Sequence, residues 1–181
     1  QQLDRSVITK PVTGNQGKGV SLNLTTSSEL EEGFNKAMQY SSEVLVEEYI
    51  PGNDYRLLVV GDEVVAAAKR RPPYIMGDGE HSIKELITKL NQDPRRGVGH
   101  EKPLTRVEIN KSVTGNLAEV GYNLESIPSE GEKVYLQQTA NLSTGGEAID
   151  CTAQVHPQNK KLALRAAKAI DLDIAGVDII T

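Results

Sequence analysis

Lys10 closes the β-branched run Ser6-Val-Ile-Thr-Lys-Pro11, and glycines follow at positions 14, 17 and 19. A lysine at a strand end offers a compact positive charge. Glycines let backbone N–H groups approach anionic oxygens without a Cβ in the way. Together they suit phosphate. The spacing is neither a Walker A loop nor the Rossmann G-x-G-x-x-G. The same residues also describe a hairpin turn carrying an exposed lysine.

The second constellation is Val44-Leu-Val-Glu-Glu-Tyr-Ile-Pro-Gly52 with Asp54 just beyond. A strand of this kind sets backbone groups against the edge of a base. Glu47 is the candidate acceptor for an adenine amino group, and Asp54 the candidate for ribose hydroxyls. Carboxylates at strand ends are also commonly just solvated. The third constellation is Lys69-Arg70-Arg71, three cations that can hold phosphate or carboxylate or protect a sheet edge. The fourth is Asn141-Leu-Ser-Thr-Gly-Gly146, in which Ser143, Thr144, Gly145 and Gly146 can form an anion-binding nest or an ordinary loop. The fifth is Asp178, a lone carboxylate in the apolar run Ile174 to Ile180. A charge there needs a partner, and Mg²⁺ takes one or two carboxylates plus nucleotide phosphates. A solvent-facing edge strand is the alternative.

Other polar residues carry less. His81 and His156 sit where helix caps belong, His100 lies in a polar stretch, and the three histidines share no metal spacing. Cys151 has no activating partner in the sequence, and no hydrolase triad suggests itself.

The elements that must position these residues follow from pattern. Val7-Ile8 and Val20–Leu24 read as strands flanking the glycine loop. Ser28 with Glu31 predicts a capping box for a helix over Glu29–Tyr40 that buries Leu30, Phe34, Ala37 and Met38. Glu43–Ile50 reads as a strand, and Tyr55–Val60 with Val64–Lys69 as a hairpin turned at Gly61-Asp62. Ser82 and Glu85 predict a second box, with Ile83, Leu86, Ile87 and Leu90 on one face. Residues 91–132 read as a mobile segment or insertion, with a strand at Thr105–Ile109. Val134–Leu136 is a short strand. Pro157 opens a helix whose buried stripe is Leu162, Ala163, Ala166, Ala167 and Ile170, and Ile174–Ile180 is the last strand.

The chain has 181 residues, enough for one domain or two small lobes. A net charge of −5 and the absence of Trp argue against nucleic acid as the ligand. One cysteine excludes an intrachain disulfide and fits a reducing cytoplasm. No apolar run reaches the ~20 residues of a membrane span. The absence of an initiating Met and the strand-like end at Thr181 lead to the expectation of a piece of a longer polypeptide.

Taken in order, the five constellations resemble the ATP-grasp superfamily over nearly the whole chain. Within it, residues 46–61, Ala66-Ala-Ala-Lys-Arg70, Gly77-Asp-Gly79 with His81, and Asn141–Gly146 with Ala148-Ile-Asp150 are most similar to the ATP-grasp region of the cyanophycin synthetases. Fused glutathione-synthesising ligases share a similar Asn-Leu-Ser-x-Gly-Gly loop. D-alanine:D-alanine ligases share only the general pattern.

The resemblance implies an α+β, ATP-grasp fold, C-terminally incomplete. Residues 1–50 would be the smaller ATP-clasping lobe and 51–181 the catalytic lobe, with 91–132 a lid or insertion. It implies ATP and Mg²⁺ as cofactors. Lys10 with Gly14, Gly17 and Gly19 would contact phosphates. Glu47, with Glu48 and backbone groups at Tyr49 and Ile50, would bind adenine, and Asp54 ribose. Arg56, Lys69 and Arg70, with the 143–146 loop, would orient phosphate and the carboxylate substrate, and Asp178 would ligate magnesium. The implied substrates are aspartate and a cyanophycin primer, in a full-length homo-oligomer.

Two departures bear on activity. The family often has a histidine where this chain has Gln16. A Glu-x-Asn motif expected one hairpin past the Asp178 strand lies beyond Thr181. The 181-residue chain alone is therefore expected not to turn over. A nucleotide-binding module without catalysis is the reading from a different class.

Overall fold

The run around Lys10 becomes the middle strand of a three-stranded antiparallel sheet. In this computed structural model residues 2–14, 17–99 and 101–181 are described; the sequence positions Gln16 and His100 lie outside them. β1 (Gln2–Pro11) is flanked by β2 (Ser21–Thr26) and β3 (Val44–Glu48). Helix α1 (Ser27–Met38) covers one face. It does so through small residues. Ala37 is buried as expected and Gly33 with it, whereas Phe34 and Met38 lie exposed. A Cβ on Gly33 would sit 2.7 Å from Thr9 Oγ1 and 2.8 Å from Leu24 Cδ1, which shows how closely helix and sheet approach. The capping box also moves. β2 stays extended through Thr26, and Thr26 with Glu29 closes the box instead of Ser28 with Glu31.

The chain then crosses to a four-stranded antiparallel sheet in the order β10-β5-β4-β11. β4 (Asp54–Val60) and β5 (Glu63–Arg71) form the hairpin expected at Gly61-Asp62, with Gly61 at φ 57° supplying the positive φ that a two-residue loop needs. β10 (Glu147–Asp150) and β11 (Ile174–Ile180) complete the sheet. α4 (Pro157–Ala169) packs across one face, its first turn opened by Pro157 and capped by the His156 ring, which accepts from Gln158 N–H. Leu57, Val59, Ala67, Ala163, Ala167 and Ala175 form the core there, joined by Leu164. Leu162 and Ile170 were expected in that stripe but face solvent, Ile170 at 66% exposure, and Ala166 is exposed too.

A second core lies beside the first. It is built by β6 (Tyr74–Met76), α2 (Ile83–Leu90), α3 (Lys111–Glu119) and β9 (Lys133–Tyr135) around Ile83, Ile87, Val113, Leu117 and Leu136. α2 starts at the Ser82–Glu85 box, as its spacing predicts. Segment 91–132 was expected to be mobile or inserted; it supplies α3 and buries Val107, Val113 and Leu117 in this core. The strand expected over Thr105–Ile109 shrinks to β8 (Leu104–Thr105), paired in parallel with β7 (Arg96–Gly97). The reason is local. The Asn91 side chain takes both backbone groups of Val107, accepting from its N–H at 2.9 Å and donating to its carbonyl at 2.9 Å. Mixed helices and antiparallel sheets make the fold α+β. No helix among the described residues is long and apolar enough to cross a membrane.

Candidate active site

Strand alternation decides which side chains can meet. On β1 and β3, Thr9 points at α1, so Ile8 and Lys10 point the other way, together with Glu47, the register partner of Ile8. That free face, the 49–54 connection and the near end of the four-stranded sheet enclose a cleft of about 750 Å³, within the roughly 300–1,000 Å³ of small-molecule sites. Of the residues expected at the site, Gly17, Glu47, Glu48, Tyr49, Ile50, Asp54, Lys69 and Arg70 line it. The connection is fixed at its far end, where Asn53 and Thr181 exchange backbone hydrogen bonds at 2.9 and 3.1 Å. A Cβ on Gly52 would fall 2.8 Å from Ile180 Cγ2, so this approach requires glycine.

The remaining expected residues divide. Lys10 does not line the cleft. Its Nζ is drawn to Glu47 Oε2 at 2.6 Å. Glu48 points opposite to Glu47 along β3 and takes a two-oxygen hydrogen bond from Arg5 Nη1. Gly19 faces a second cavity of about 400 Å³ behind the glycine loop, which also holds Lys18, Lys36 and Lys111. Gly14 lines neither of these two cavities.

On the four-stranded sheet Asp54 pairs in register with Arg70, and Arg56 with Asp178, so these four share one face. Lys69 alternates to the opposite face, beside Tyr55. Arg70 donates to Asp54 Oδ1 from Nε at 3.0 Å and from Nη2 at 2.7 Å, and its Nη2 lies 3.2 Å from Asp178 Oδ1. Arg56 holds Asp178 with two bonds, at 2.9 and 3.3 Å. Burial works to lower the Arg70 pKa, but the hydrogen bond and charge of Asp54, with Asp178 behind it, raise it above the ordinary value. Asp178 is thus a partnered carboxylate on an edge strand.

A magnesium ion finds limited protein ligation. Among the described residues no group of three or more His, Cys, Asp or Glu converges. Asp178 fits a cation whose other ligands are phosphate oxygens, the arrangement Mg²⁺ commonly takes, and it would have to loosen Arg56 to do so.

The loop at 141–146 differs from the expected nest. Leu142–Thr144 is a 3-10 turn and Gly145 is left-handed at φ 98°. The N–H groups of Thr144, Gly145 and Gly146 donate inward, to Asn141, Leu142 and Asn141 carbonyls respectively. They are consumed in closing the turn, which is why they do not form an anion nest. The Thr144 hydroxyl also turns to Asn141 O, at 3.1 Å. Asn141 lines the cleft, while Gly145 and Gly146 are buried behind it.

Some residues in or behind the site carry no motif. Tyr135 and Lys133 line the cleft. Lys133 and Arg71 lie over the Tyr74 ring at 4.7 and 4.8 Å. Arg71 also donates to Glu147 at 2.7 Å, which raises its pKa. Arg96, from the polar stretch, reaches Glu147 from the other side. The Gly77-Asp-Gly79 motif has a structural explanation. A Cβ on Gly77 would strike the Ser129 carbonyl at 2.2 Å, and Asp78 accepts from the N–H groups of Glu80 and His81.

The RimK-like ATP-grasp domain family matches residues 1–77 and 124–181. The chain is 46% identical over 177 residues to the cyanophycin synthetase of Crocosphaera subtropica, covering 97% of this chain and 20% of that protein. It is 40% identical over 179 residues to the glutathione biosynthesis bifunctional protein GshAB of Listeria welshimeri, covering 98% of the chain and 23% of that protein. A bifunctional glutathione synthetase from Pasteurella multocida superposes with a TM-score of 0.64 at 34% identity, over 98% of this chain and 24% of that one. The chain therefore spans about a fifth of the length of its curated relatives. By the family match and by these identities, the chain belongs to the RimK-like ATP-grasp domain family.

Proposed function

We propose that this chain is the ATP-binding and carboxylate-activating part of a carboxylate–amine ligase of the cyanophycin synthetase type. The observation that carries the reading is the join between a nucleotide-sized cleft, edged by Glu47 to Ile50 and Asp54, and the charged sheet face of Arg70, Arg56 and Asp178. Adenine would lie along Glu47–Ile50 and ribose at Asp54. Gly17 of the glycine loop would meet the phosphates, with Lys10 reaching them from its place beside Glu47 at the cleft edge. Arg56 and Arg70 would offset charge as a substrate carboxylate oxygen attacks the γ-phosphorus and ADP departs. An amine then attacks the acyl carbon, phosphate leaves, and the amine loses a proton as the amide forms. Lys69 reaches the cleft from the opposite sheet face and would contact the anionic end of a substrate. Ser143 would contact the carboxylate through its side chain, with Thr144, Gly145 and Gly146 giving the loop its shape. Magnesium at Asp178 would supply charge neutralisation at the phosphates.

The proposed substrates are aspartate and the end of a cyanophycin primer, in the cytoplasm and within a full-length homo-oligomer. Residues 1–50 would act as the clasping lobe and 51–181 as the catalytic lobe. A glutathione-type ligase is the second reading, favoured by the 34% identical glutathione synthetase that matches over 98% of the chain. The test is phosphate release by the chain extended past Thr181 to the length of its relatives, with Mg-ATP and primer. Aspartate, arginine and the β-aspartyl-arginine dipeptide are added singly, with γ-glutamylcysteine plus glycine as the rival pair. Release with aspartate is the expected result; release only with the glutathione pair sinks the cyanophycin reading. ATP binding without any release identifies a non-catalytic nucleotide module.

A further inference from the structure

Among the described residues the largest fully buried side chain is a cation, Arg96, at 2% exposure. It comes from the segment between residues 78 and 123 that the family match leaves out. Its two terminal nitrogens reach three acceptors, while Nε has no partner among the described residues. Nη1 donates to the carbonyls of Thr105 at 2.8 Å and Gly145 at 2.9 Å, and Nη2 donates to Glu147 Oε1 at 3.2 Å. Glu147 is shared: its Oε2 accepts from Arg71 Nη2 at 2.7 Å. Arg96 therefore ties β8 to the loop on one side and to the strand that follows the loop on the other.

A second contact from the same segment reinforces this. A Cβ on Gly145 would meet Val107 Cγ2 at 2.5 Å, so the left-handed turn of the loop is seated directly on Val107. Val107 is itself fixed by the Asn91 side chain through both backbone groups. The back of the 141–146 loop is thus held by Arg96, Thr105 and Val107, while Asn141 at its front lines the cleft.

We infer that Arg96 is a positioning residue for the Asn141–Gly146 loop, and that residues 91–107 set the carboxylate-binding geometry from behind without touching substrate. The consequence for catalysis rests on the ligase reading above; the consequence for the loop does not. A planar fork with several donors suits two carbonyls and a carboxylate at once, and a lysine ammonium keeps the charge but cannot span all three.

The test uses Arg96→Lys, which retains the charge beside Glu147. Hydrogen exchange on the 181-residue chain should show the amides of Thr144, Gly145 and Gly146 exchanging about tenfold faster, with those of β1 and β3 unchanged. ATP affinity should not move. In the extended chain, KM for the carboxylate substrate should rise about tenfold while KM for ATP and kcat hold, as expected for a misplaced binding loop. Unchanged loop exchange overturns the inference, as does a parallel rise in both KM values, which marks a merely structural role. Should the extended chain turn over no substrate, the ligase reading fails while the exchange experiment still decides the role of Arg96. If Arg96→Lys does not fold, Glu147→Gln, which removes the charge shared by Arg96 and Arg71, serves the same measurements with the same expected and overturning results.

Discussion

The ammonium of Lys10 lies 2.6 Å from Glu47 Oε2, across the β1–β3 pair and on the face turned away from α1. Both side chains are more than a third exposed, so the pair contributes little stability, about 0–1 kcal/mol at most. Its value would be preorganisation, since the proposed phosphate cation and adenine acceptor hold each other at the cleft edge. Lys10→Met should therefore leave thermal unfolding nearly unchanged. ATP binding, followed by titration calorimetry, should weaken about tenfold, or 1.4 kcal/mol. An unchanged Kd removes Lys10 from the nucleotide site.

Asp178 gives a prediction with opposite signs in two buffers. Its carboxylate pairs with Arg56 and, beside Asp54, with Arg70. Asp178→Asn frees the Arg56 guanidinium and removes one of the two carboxylates at Arg70, which Asp54 still holds, so ATP without magnesium should bind more tightly. With magnesium the lost ligand should make binding weaker than in the parent. If the variant binds ATP more tightly in both buffers, Asp178 is only an ion-pair partner.

How far the sequence carried the argument depends on what each residue had to report. Hairpin β4–β5, the Ser82–Glu85 box, Pro157 at a helix start and strand Ile174–Ile180 are local signals, and all stand where pattern puts them. The buried stripes of α1 and α4 were read in part: Ala37, Ala163 and Ala167 are buried as expected, but Phe34, Met38, Leu162 and Ile170 are exposed and Gly33 was not foreseen. Two adjacent stripes fit a 3.6-residue period, and pattern favours the larger apolar residues. The structure buries the smaller ones, Gly33 with Ala37 and Ala163 with Ala167, because close sheet contact selects size. Arg96 was illegible because its three acceptors are tertiary. The donors of the 141–146 loop were legible as donors, but their use in closing the turn was not.

The capping box at Thr26 can be separated from the one expected at Ser28 by mutation. Thr26 accepts from Glu29 N–H, and Glu29 Oε2 accepts from Thr26 N–H at 3.0 Å. Thr26→Ala should cost about 1 kcal/mol in urea denaturation. Ser28→Ala, inside the helix and exposed, should be neutral or slightly stabilising. Equal losses for the two variants would place the helix start elsewhere.

Gly33→Ala tests the close packing against helix propensity. Propensity alone favours alanine mid-helix by about 1 kcal/mol. The added Cβ would fall 2.7 Å from Thr9 Oγ1, on a residue that is fully buried. Overpacking of that kind costs about 1–3 kcal/mol. The net should be destabilising, read as a lower urea midpoint with an unchanged slope. A stabilised variant would mean that α1 can lift from the sheet at no cost.

Acid should unfold the chain in part through two aspartates. The His81 N–H, helped by that of Glu80 and by the His81 ring, holds Asp78 at about 2. The Arg95 side chain and then its N–H hold Asp93 at about 2. Both lie below the ordinary 3.8, so between those values the unfolded chain binds more protons than the folded one. Their contribution to stability is present above about pH 4 and is lost as pH falls towards about 2. Asp93→Asn and Asp78→Asn should each flatten the fall in urea midpoint between pH 4 and pH 2 and leave its slope above pH 5 unchanged. Curves parallel to the parent through the acid window would show that neither carboxylate is held in these turns in solution.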